Sequence, residues 1–293
     1  MARKTIFQLV EENYDVQNEI KKLNYLFYSE KYFSEGVYFD ITFEELIDKY
    51  LLRNWKHCST CLSAKGFLKR VNAYITKDDT SVPEEKIINN LEAMENFALL
   101  YNSNSRKLAD SKGIKWYSNY NTFIHIINEL ERHMGLSVRS YKDRVVIYPN
   151  NAPLEKVLEL CQDEEVEWSL IQFVREELSL SQKKKQLAFL ATQLGMEQDS
   201  KETDNHIKEL MKETTNVLNN LNIRHNNKNG KENNKVKIEG LTPTKESKLC
   251  DYIFNNMLLI MLLREQKKNA GVYAEFSQKQ KELKERIKTD KGE

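Results

Sequence analysis

The chain has 293 residues, of which 40% are hydrophobic and 10% aromatic, so it can bury a substantial core and is not a disordered polypeptide. Its 45 Lys and Arg nearly balance 44 Asp and Glu, which excludes a global electrostatic attraction to nucleic acid but leaves room for a local basic patch. Only four prolines and nine glycines occur, and this scarcity favours a mainly α-helical fold.

Neither the N-terminal stretch nor the longest dense apolar run has the length or the flanks of a targeting or membrane segment. The N-terminal MARKTIFQLVEENYD reaches acidic residues after a short apolar run and predicts an amphipathic helix rather than a signal peptide. The run MLLIMLL at 257–263 is far shorter than the roughly 20 residues that span a bilayer. Four unevenly spaced cysteines favour reduced thiols. We therefore expect a cytoplasmic protein with no membrane partner.

The first 101 residues show the apolar spacing of amphipathic helices. Thr42, with Glu45 three residues later, is a capping-box signature that predicts the start of a helix. Pro83 suits the first turn of another helix, because its missing N–H needs no partner there. The predicted helices cover residues 4–28, 42–55, 62–75 and 81–101.

The pattern changes at residues 121–148. The stretch NTFIHIINELERHMG predicts a helix with Asn121 as its N-cap and Gly135 as its C-terminal stop. The next stretch, LSVRSYKDRVVIYP, is rich in Val, Ile and Tyr around a Lys-Asp turn and predicts a β-hairpin near 136–148. A helix followed by a hairpin fits either a winged helix or a small hairpin packed on helices. The lack of a basic recognition helix favours the second interpretation.

The motif PNNAP interrupts the pattern near residue 150 and predicts a domain boundary. We expect an N-terminal helical domain with a small β-hairpin at residues 1–152. We expect a C-terminal up-and-down helical bundle at residues 153–293. The fold class predicted for the whole chain is therefore mainly α.

The C-terminal domain is predicted to contain one short helix, NNAPLEKVLELCQD, and four longer ones. Ser181 is a candidate N-cap and Gly195 a candidate stop for the second long helix. Residues 226–246 hold most of the chain's loop signals and predict a long polar loop. The charged end, SQKQKELKERIKTDKGE, predicts a solvated helix that frays into a tail. The long helices are predicted at 165–179, 182–194, 200–225 and 247–269.

Two short motifs near residue 57 offer candidate chemistry. Cys58 and Cys61 have the C-x-x-C spacing of a zinc or redox pair, but a structural zinc site needs four ligands and no second pair occurs. Arg53 and His57 lie four residues apart, so on a helix they form either a phosphate-binding pair or a surface pair beside Trp55. Ordinary packing at a helix start is the simpler interpretation of the cysteines, and a surface pair is the simpler interpretation of Arg53 and His57.

The remaining motifs exclude several classes of enzyme. The KKK run at 183–185 predicts a small solvated basic face at a helix start. The sequence contains no H-E-x-x-H motif, no Walker-type loop and no dinucleotide glycine motif. We therefore expect neither a metal site nor a cofactor.

Arg224 and His225 stand side by side where an apolar helical pattern runs into the polar stretch LNNLNIRHNNKNGKENN. Thr214, Leu218 and Leu221 form a helical stripe, and the positions three and four residues after Leu221 continue it. This spacing predicts that Arg224 and His225 point towards the bundle. An inward guanidinium is costly unless it is paired or lines a cleft, which favours a site. The alternative is that both side chains cap the last helix carbonyls.

A helical bundle whose penultimate helix ends in an Arg-containing polar motif, followed by a loop and a last apolar helix, resembles the HEPN superfamily. The resemblance rests on NNLNIRHNN and KLCDYIFNNMLLIMLL and covers about residues 165–270. It implies a metal-independent RNase of the kind found in bacterial abortive-infection, antiphage-defence and toxin proteins. The family's histidine usually follows the arginine by four to six residues, whereas here His225 is adjacent and no histidine follows it.

The resemblance implies roles for four residues. Arg224 would stabilise the phosphate in the transition state, and His225 would act as general acid or base, which imidazole suits near neutral pH. Asn226 and Asn227 would bind and orient the substrate. HEPN domains commonly pair to form one cleft, so a homodimer that cleaves RNA is expected. The alternative is a non-enzymatic interaction or regulatory protein that binds a protein partner, with Arg224 and His225 in structural roles.

Overall fold

A computed structural model describes residues 12–35, 39–58, 60–76, 78–116, 119–141, 143–175, 178–196, 201–221, 223 and 241–290. Helices account for 72% of these residues and the strands form two small sheets, which confirms the mainly α fold class. The chain divides into two compact units, residues 1–150 and 151–293, close to the boundary predicted at 152. Within the described residues, no helix is both long enough and apolar enough to cross a membrane.

The first unit builds an aromatic core between helices and a small sheet. The rings of Phe27 and Phe97 stack with centroids 5.4 Å apart, and Phe43 meets Phe123 edge-on at 5.2 Å. The α-helices are α1 (Val16–Tyr28), α2 (Phe43–Leu46), α3 (Ala64–Arg70), α4 (Glu84–Lys112) and α5 (Asn119–His133). The strands are β1 (Lys31–Glu35), β2 (Phe39–Thr42), β3 (Ile114–Trp116), β4 (Leu136–Ser140) and β5 (Val145–Pro149).

The helix predicted over 42–55 is wrong beyond its first turn. Its start is as expected, because the Thr42 hydroxyl accepts from the Glu45 N–H at 3.1 Å and the Glu45 carboxylate accepts from the Thr42 N–H at 2.8 Å. After α2, however, the chain widens into a π-helical turn at Ile47–Leu51 and tightens into a 3-10 turn at Leu52–Asn54. The apolar side chains of these turns are buried, so tertiary packing overrides the regular helix that local propensity predicts.

A three-stranded antiparallel sheet in the order β2-β1-β3 is present that the sequence pattern does not predict. Its strands have only three to five residues, and Ser34 of β1 lies opposite Lys115 of β3, far along the chain. Tyr32 and Phe33 are consecutive and both fully buried. The strand therefore lacks the alternation of apolar and polar residues that identifies a half-buried strand in a sequence.

The predicted hairpin is present as β4 and β5, and it is packed on a helix. Asn96 of α4 binds the edge of β5: its Nδ2 donates to the Val145 carbonyl at 2.8 Å, and its Oδ1 accepts from the Val145 N–H at 2.9 Å. The Glu92 carboxylate accepts from the Ile147 N–H at 2.9 Å. These bonds cover the backbone edge of β5, which supports the packed-hairpin interpretation over a free wing.

The helix before the hairpin starts earlier than predicted. Asn121 lies inside α5, which begins at Asn119, and is therefore not its N-cap. The end of α5 is as predicted, because Gly135 has a φ of 63°, the left-handed conformation that glycine adopts most readily.

The second unit is a helical bundle around the first half of its last helix. This last helix packs against three of the others and buries Ile253, Met257 and Ile260. It continues to Asp290 through the segment that was predicted to fray. The helices are α6 (Ala152–Leu160), α7 (Glu164–Arg175), α8 (Leu180–Gln193), α9 (Asn205–Asn220) and α10 (Pro243–Asp290).

Two helix starts in this unit differ from the prediction. Ser179, not Ser181, is the N-cap of α8, and it forms a reciprocal capping box with Gln182. The helix predicted to begin at residue 200 begins at Asn205, because the Asp204 carboxylate caps its first turn. In both cases a competing polar residue nearby sets the boundary.

Candidate functional site

Helix α9 ends before it reaches the residues predicted to form the site. Leu221 is its C-cap, and the Ile223 N–H donates to the Leu218 carbonyl at 3.0 Å, the bond that closes a Schellman-type helix end. Helix α9 therefore ends at Asn220, five residues before the end of the predicted helix. The predicted site residues Arg224, His225, Asn226 and Asn227 lie outside the described residues.

The end of α9 lies beside the start of α10. Arg264 contacts Met211, with 3.1 Å between Nη2 and Sδ, whereas Asn256 donates to Thr214 at 3.2 Å one turn further along α9. The two helices therefore run antiparallel. Ile223, at the C-terminal end of α9, consequently lies at the end of the bundle where α10 begins.

A cleft of about 590 Å³ opens at this end of the bundle. Its volume falls within the roughly 300–1,000 Å³ that small-molecule sites occupy. The end of α7, the start of α8 and the first turns of α10 form its walls. The lining residues are Asn151, Phe173, Val174, Leu178, Lys183, Ser247, Asp251, Phe254 and Asn255.

Lys183 connects two walls of the cleft. Its Nζ donates to Asp251 Oδ1 at 2.6 Å and to Ser247 Oγ at 3.1 Å, and it lies 5.7 Å from the centre of the Phe173 ring. Its side chain is only 15% exposed. Lys183 is therefore a structural cation that fixes the position of the Asp251 carboxylate.

The prediction of a solvated basic face at 183–185 is accordingly wrong for two of its three lysines. Lys183 is held by α10, and Lys184 forms a hydrogen-bonded ion pair with Glu246 at the start of the same helix. Lys185 is exposed. The sequence did not reveal these pairs because the acidic partners lie more than 60 residues away along the chain.

The cleft combines an apolar wall with polar groups of fixed orientation. The rings of Phe173 and Phe254 stack 4.2 Å apart at an angle of 8°. The polar groups are the carboxylate of Asp251, whose side chain is 49% exposed, and the amide of the exposed Asn255. Asn151 Oδ1 accepts from the Leu154 N–H at 3.0 Å, so its Nδ2 remains a donor. The cleft can therefore hold a planar, polar-edged ligand.

Exposed lysines lie at this end of the bundle. Residues 224–251 contain seven Lys or Arg and four Asp or Glu, whereas the whole chain has a net charge of only +1. Lys185, Lys245 and Lys248 are exposed around the start of α8 and α10. Exposed lysines of this kind attract the phosphates of a polyanion.

The cysteines do not form a site within the described residues. Cys61 is a partly buried free thiol, and the side chain of Cys58 lies outside the described part of the structure. Burial raises the pKa of the Cys250 thiol to about 11, so this thiol is protonated near neutral pH and is a poor nucleophile. Among the described residues, no group of three or more His, Cys, Asp or Glu is arranged to hold a metal ion.

Arg53 and His57 are not stacked on one helix face as their spacing suggested. The backbone is extended at Trp55, which separates two short 3-10 turns. His57 Nε2 instead lies 3.1 Å from Asp143 Oδ2 in the hairpin turn. This contact ties the 3-10 turn to the hairpin, and nothing in it suggests a phosphate site.

No protein-family model, curated protein or solved structure matches the chain. Its function therefore has to be inferred from the residues and the geometry of the bundle end.

Proposed function

We propose that the second unit is a HEPN-like RNA-cleaving domain in which Arg224 and His225 act at the basic end of the bundle. One arrangement supports this proposal. Helix α9 ends at Asn220, the Arg-His motif begins four residues later in the sequence, and α10 starts beside the end of α9, next to the cleft and its exposed lysines. We propose phage defence or toxin activity in the bacterial cytoplasm as the setting.

The proposed chemistry needs no metal ion. The ribose 2′-hydroxyl attacks the adjacent phosphorus, and the P–O5′ bond breaks to leave a 2′,3′-cyclic phosphate and a 5′-hydroxyl. Arg224 stabilises the negative charge that develops on the phosphoryl oxygens. His225 takes the proton from the 2′-hydroxyl or gives a proton to O5′. Because each chain offers one histidine in this motif, a homodimer would supply the base from one copy and the acid from the other.

The direct test is cleavage of end-labelled single-stranded RNA by the purified chain in EDTA. We expect products with a 2′,3′-cyclic phosphate, and we expect Arg224→Ala and His225→Ala each to lower the cleavage rate by about 100-fold or more. Arg53→Ala and His206→Ala are matched controls, because both side chains are exposed and lie outside the proposed site. Intact RNA with the parent chain, or equal rates for Arg224→Ala and the parent, would exclude the proposal.

Induced expression in a bacterial host provides a second readout. We expect the parent chain to slow growth and degrade cellular RNA, with or without phage, and the Arg224→Ala and His225→Ala chains to do neither. Equal growth and intact RNA for all three chains would contradict an RNase toxin or defence protein.

One feature favours the alternative, a non-enzymatic protein that binds a protein partner. From Gln266 to Lys279 every side chain of α10 that the structure describes is exposed, including Val272 at 65%. Most of the stability of protein helices comes from tertiary packing, so a partner would stabilise this extension. If truncation after residue 270 abolished capture of a defined partner in cells while the purified parent cleaved no RNA, the alternative would be preferred.

A further inference from the structure

The cleft presents a carboxylate whose position is fixed. Lys183 binds Oδ1 of Asp251, and Ser247 helps to hold the lysine in place. A carboxylate has about four acceptor sites on its two oxygens, so Lys183 uses one and leaves the others for a ligand. The half-exposed Asp251 can therefore accept two adjacent hydrogen bonds from one ligand edge.

Other groups of the cleft suit the rest of a planar ligand. The Asn151 amide is oriented by its bond to the Leu154 N–H, which leaves its NH₂ group as a donor. Asn255 adds a second amide on α10. Phe173 and Phe254 provide apolar surface on one side. A ligand with two neighbouring donors, a nearby acceptor and a flat body matches this set.

Among the RNA bases, guanine alone carries two neighbouring donors, N1–H and N2–H, next to an acceptor, O6. Adenine and cytosine place an acceptor beside their amino group, which a carboxylate would repel, and uracil has a single N–H donor. Proteins read unstacked RNA bases through such edges. A polar group left without its partner costs about 1–3 kcal/mol, which is enough to discriminate between bases.

We propose that this cleft is a guanine-binding pocket, with Asp251 accepting from N1–H and N2–H, and with Asn151 or Asn255 donating to O6. The exposed Lys185, Lys245 and Lys248 would then contact the phosphates on either side of the base. The assignment of the ligand as a guanine within RNA rests on the proposed function, whereas the preference for guanine rests on the groups of the cleft.

The test is calorimetric binding of 5′-GMP, 5′-AMP, 5′-CMP and 5′-UMP to the full chain, followed by mapping of cleavage sites in RNAs that contain a single guanine. We expect GMP to bind at least about 10-fold more tightly than the other nucleotides. Asp251→Asn should remove this preference, because the amide offers a donor where guanine also has donors. Glu209→Gln is the control for charge, since Glu209 is exposed on α9.

A second variant is needed because Asp251→Asn also loses the ion pair with Lys183 and could fold less stably. Asn255→Trp fills the cleft from an exposed position and should abolish GMP binding with unchanged circular dichroism. Equal affinities for the four nucleotides, or GMP binding that survives both variants, would overturn the pocket. Cleavage without base preference would overturn the guanine pocket but leave the RNase proposal intact. A preference for GMP without cleavage would support the pocket and exclude the RNase proposal.

Discussion

Lys183 and Asp251 join the start of α8 to the first turns of α10 through a hydrogen bond of 2.6 Å, although 68 residues separate them in the chain. The lysine side chain is 15% exposed and the aspartate side chain 49%. This difference in exposure predicts an interaction of intermediate strength, because the half-exposed aspartate can be solvated when the lysine is removed. The pair also determines the shape of the cleft, so its contribution to stability can be measured independently of any activity.

We expect Lys183→Met to lower the free energy of unfolding by about 1–2 kcal/mol. A double-mutant cycle with Asp251→Asn, measured by urea unfolding, should give a coupling energy of about 1 kcal/mol. Lys156 and Glu159 are the matched control pair, with side chains 67% and 59% exposed, and their coupling should be about 0–0.5 kcal/mol. Equal coupling in the two cycles would show that the α8–α10 pair has no special role.

Glu131 predicts a pH dependence of stability. It is 7% exposed, its Oε1 has no hydrogen-bond partner among the described residues, and burial together with the nearby Glu95 raises its pKa to about 8. The folded state thus keeps a proton that the unfolded chain releases above its ordinary pKa of 4.5. The free energy of unfolding should therefore fall as the pH rises from about 4.5 to 8 and then level off.

Glu131→Gln should remove this dependence. Between pH 5 and 8 we expect the stability of the variant to fall less steeply than that of the parent, by up to about 1.4 kcal/mol per pH unit. Glu129→Gln is the control on the same helix, because a hydrogen bond from Arg132 lowers the pKa of Glu129 and places its titration below this range. Chemical unfolding at several pH values provides the measurement, and parallel curves for Glu131→Gln and the parent would contradict the prediction.

Asn96 should be critical for attachment of the hairpin. Its amide satisfies both the N–H and the carbonyl of Val145, which are buried when the hairpin is in place. We expect Asn96→Ala to cost about 2–4 kcal/mol of unfolding free energy, because two buried backbone groups lose their partners. Asn104→Ala on the same helix should cost less than about 1 kcal/mol, since the bond that Asn104 forms within the described part of the chain goes to the Leu100 carbonyl of its own helix.

Two glycines of the second unit should respond to alanine in opposite directions. Gly195 has a φ of 61°, and a Cβ there would meet no atom within 4 Å, so backbone strain alone should make Gly195→Ala destabilising by about 1 kcal/mol. Gly271 lies inside α10, where a Cβ would also meet open space. Gly271→Ala should therefore raise helicity and stabilise the helix by roughly 0.5–1 kcal/mol. Thermal unfolding followed by circular dichroism measures both, and shifts of the same sign would contradict the assigned backbone geometry.

Local signals allowed much of the helical structure to be predicted, but not its boundaries. Thr42 and Glu45 form the expected capping box, and Gly135 and Gly195 stand just beyond helix ends with positive φ. The end of α4 was missed because the apolar spacing fades in NSNSRKLADSK, although the helix continues to Lys112. Ser179 rather than Ser181 is the N-cap of α8, because only Ser179 has a glutamine three residues later.

The candidate site could be predicted only in part. The sequence drew attention to Arg224 and His225, and the prediction that they continue the buried stripe concerns residues outside the described part of the chain. Asp251 and Asn255 cannot be identified from the sequence, since polar residues on an apolar helix carry no signal until their neighbours are known. Their position beside Lys183 is set by the tertiary structure.

By itself, the sequence determined the mainly α class, the long helices and the hairpin, because helix and strand periodicity, caps and turn residues act over a few neighbouring positions. Only the tertiary structure decided that β1 pairs with β3, that Asn96 holds the hairpin and that Lys183 meets Asp251. Each of these contacts joins residues that are distant in the chain. Their energies depend on burial and on the geometry of the partner, and neither quantity is present in a local stretch of sequence.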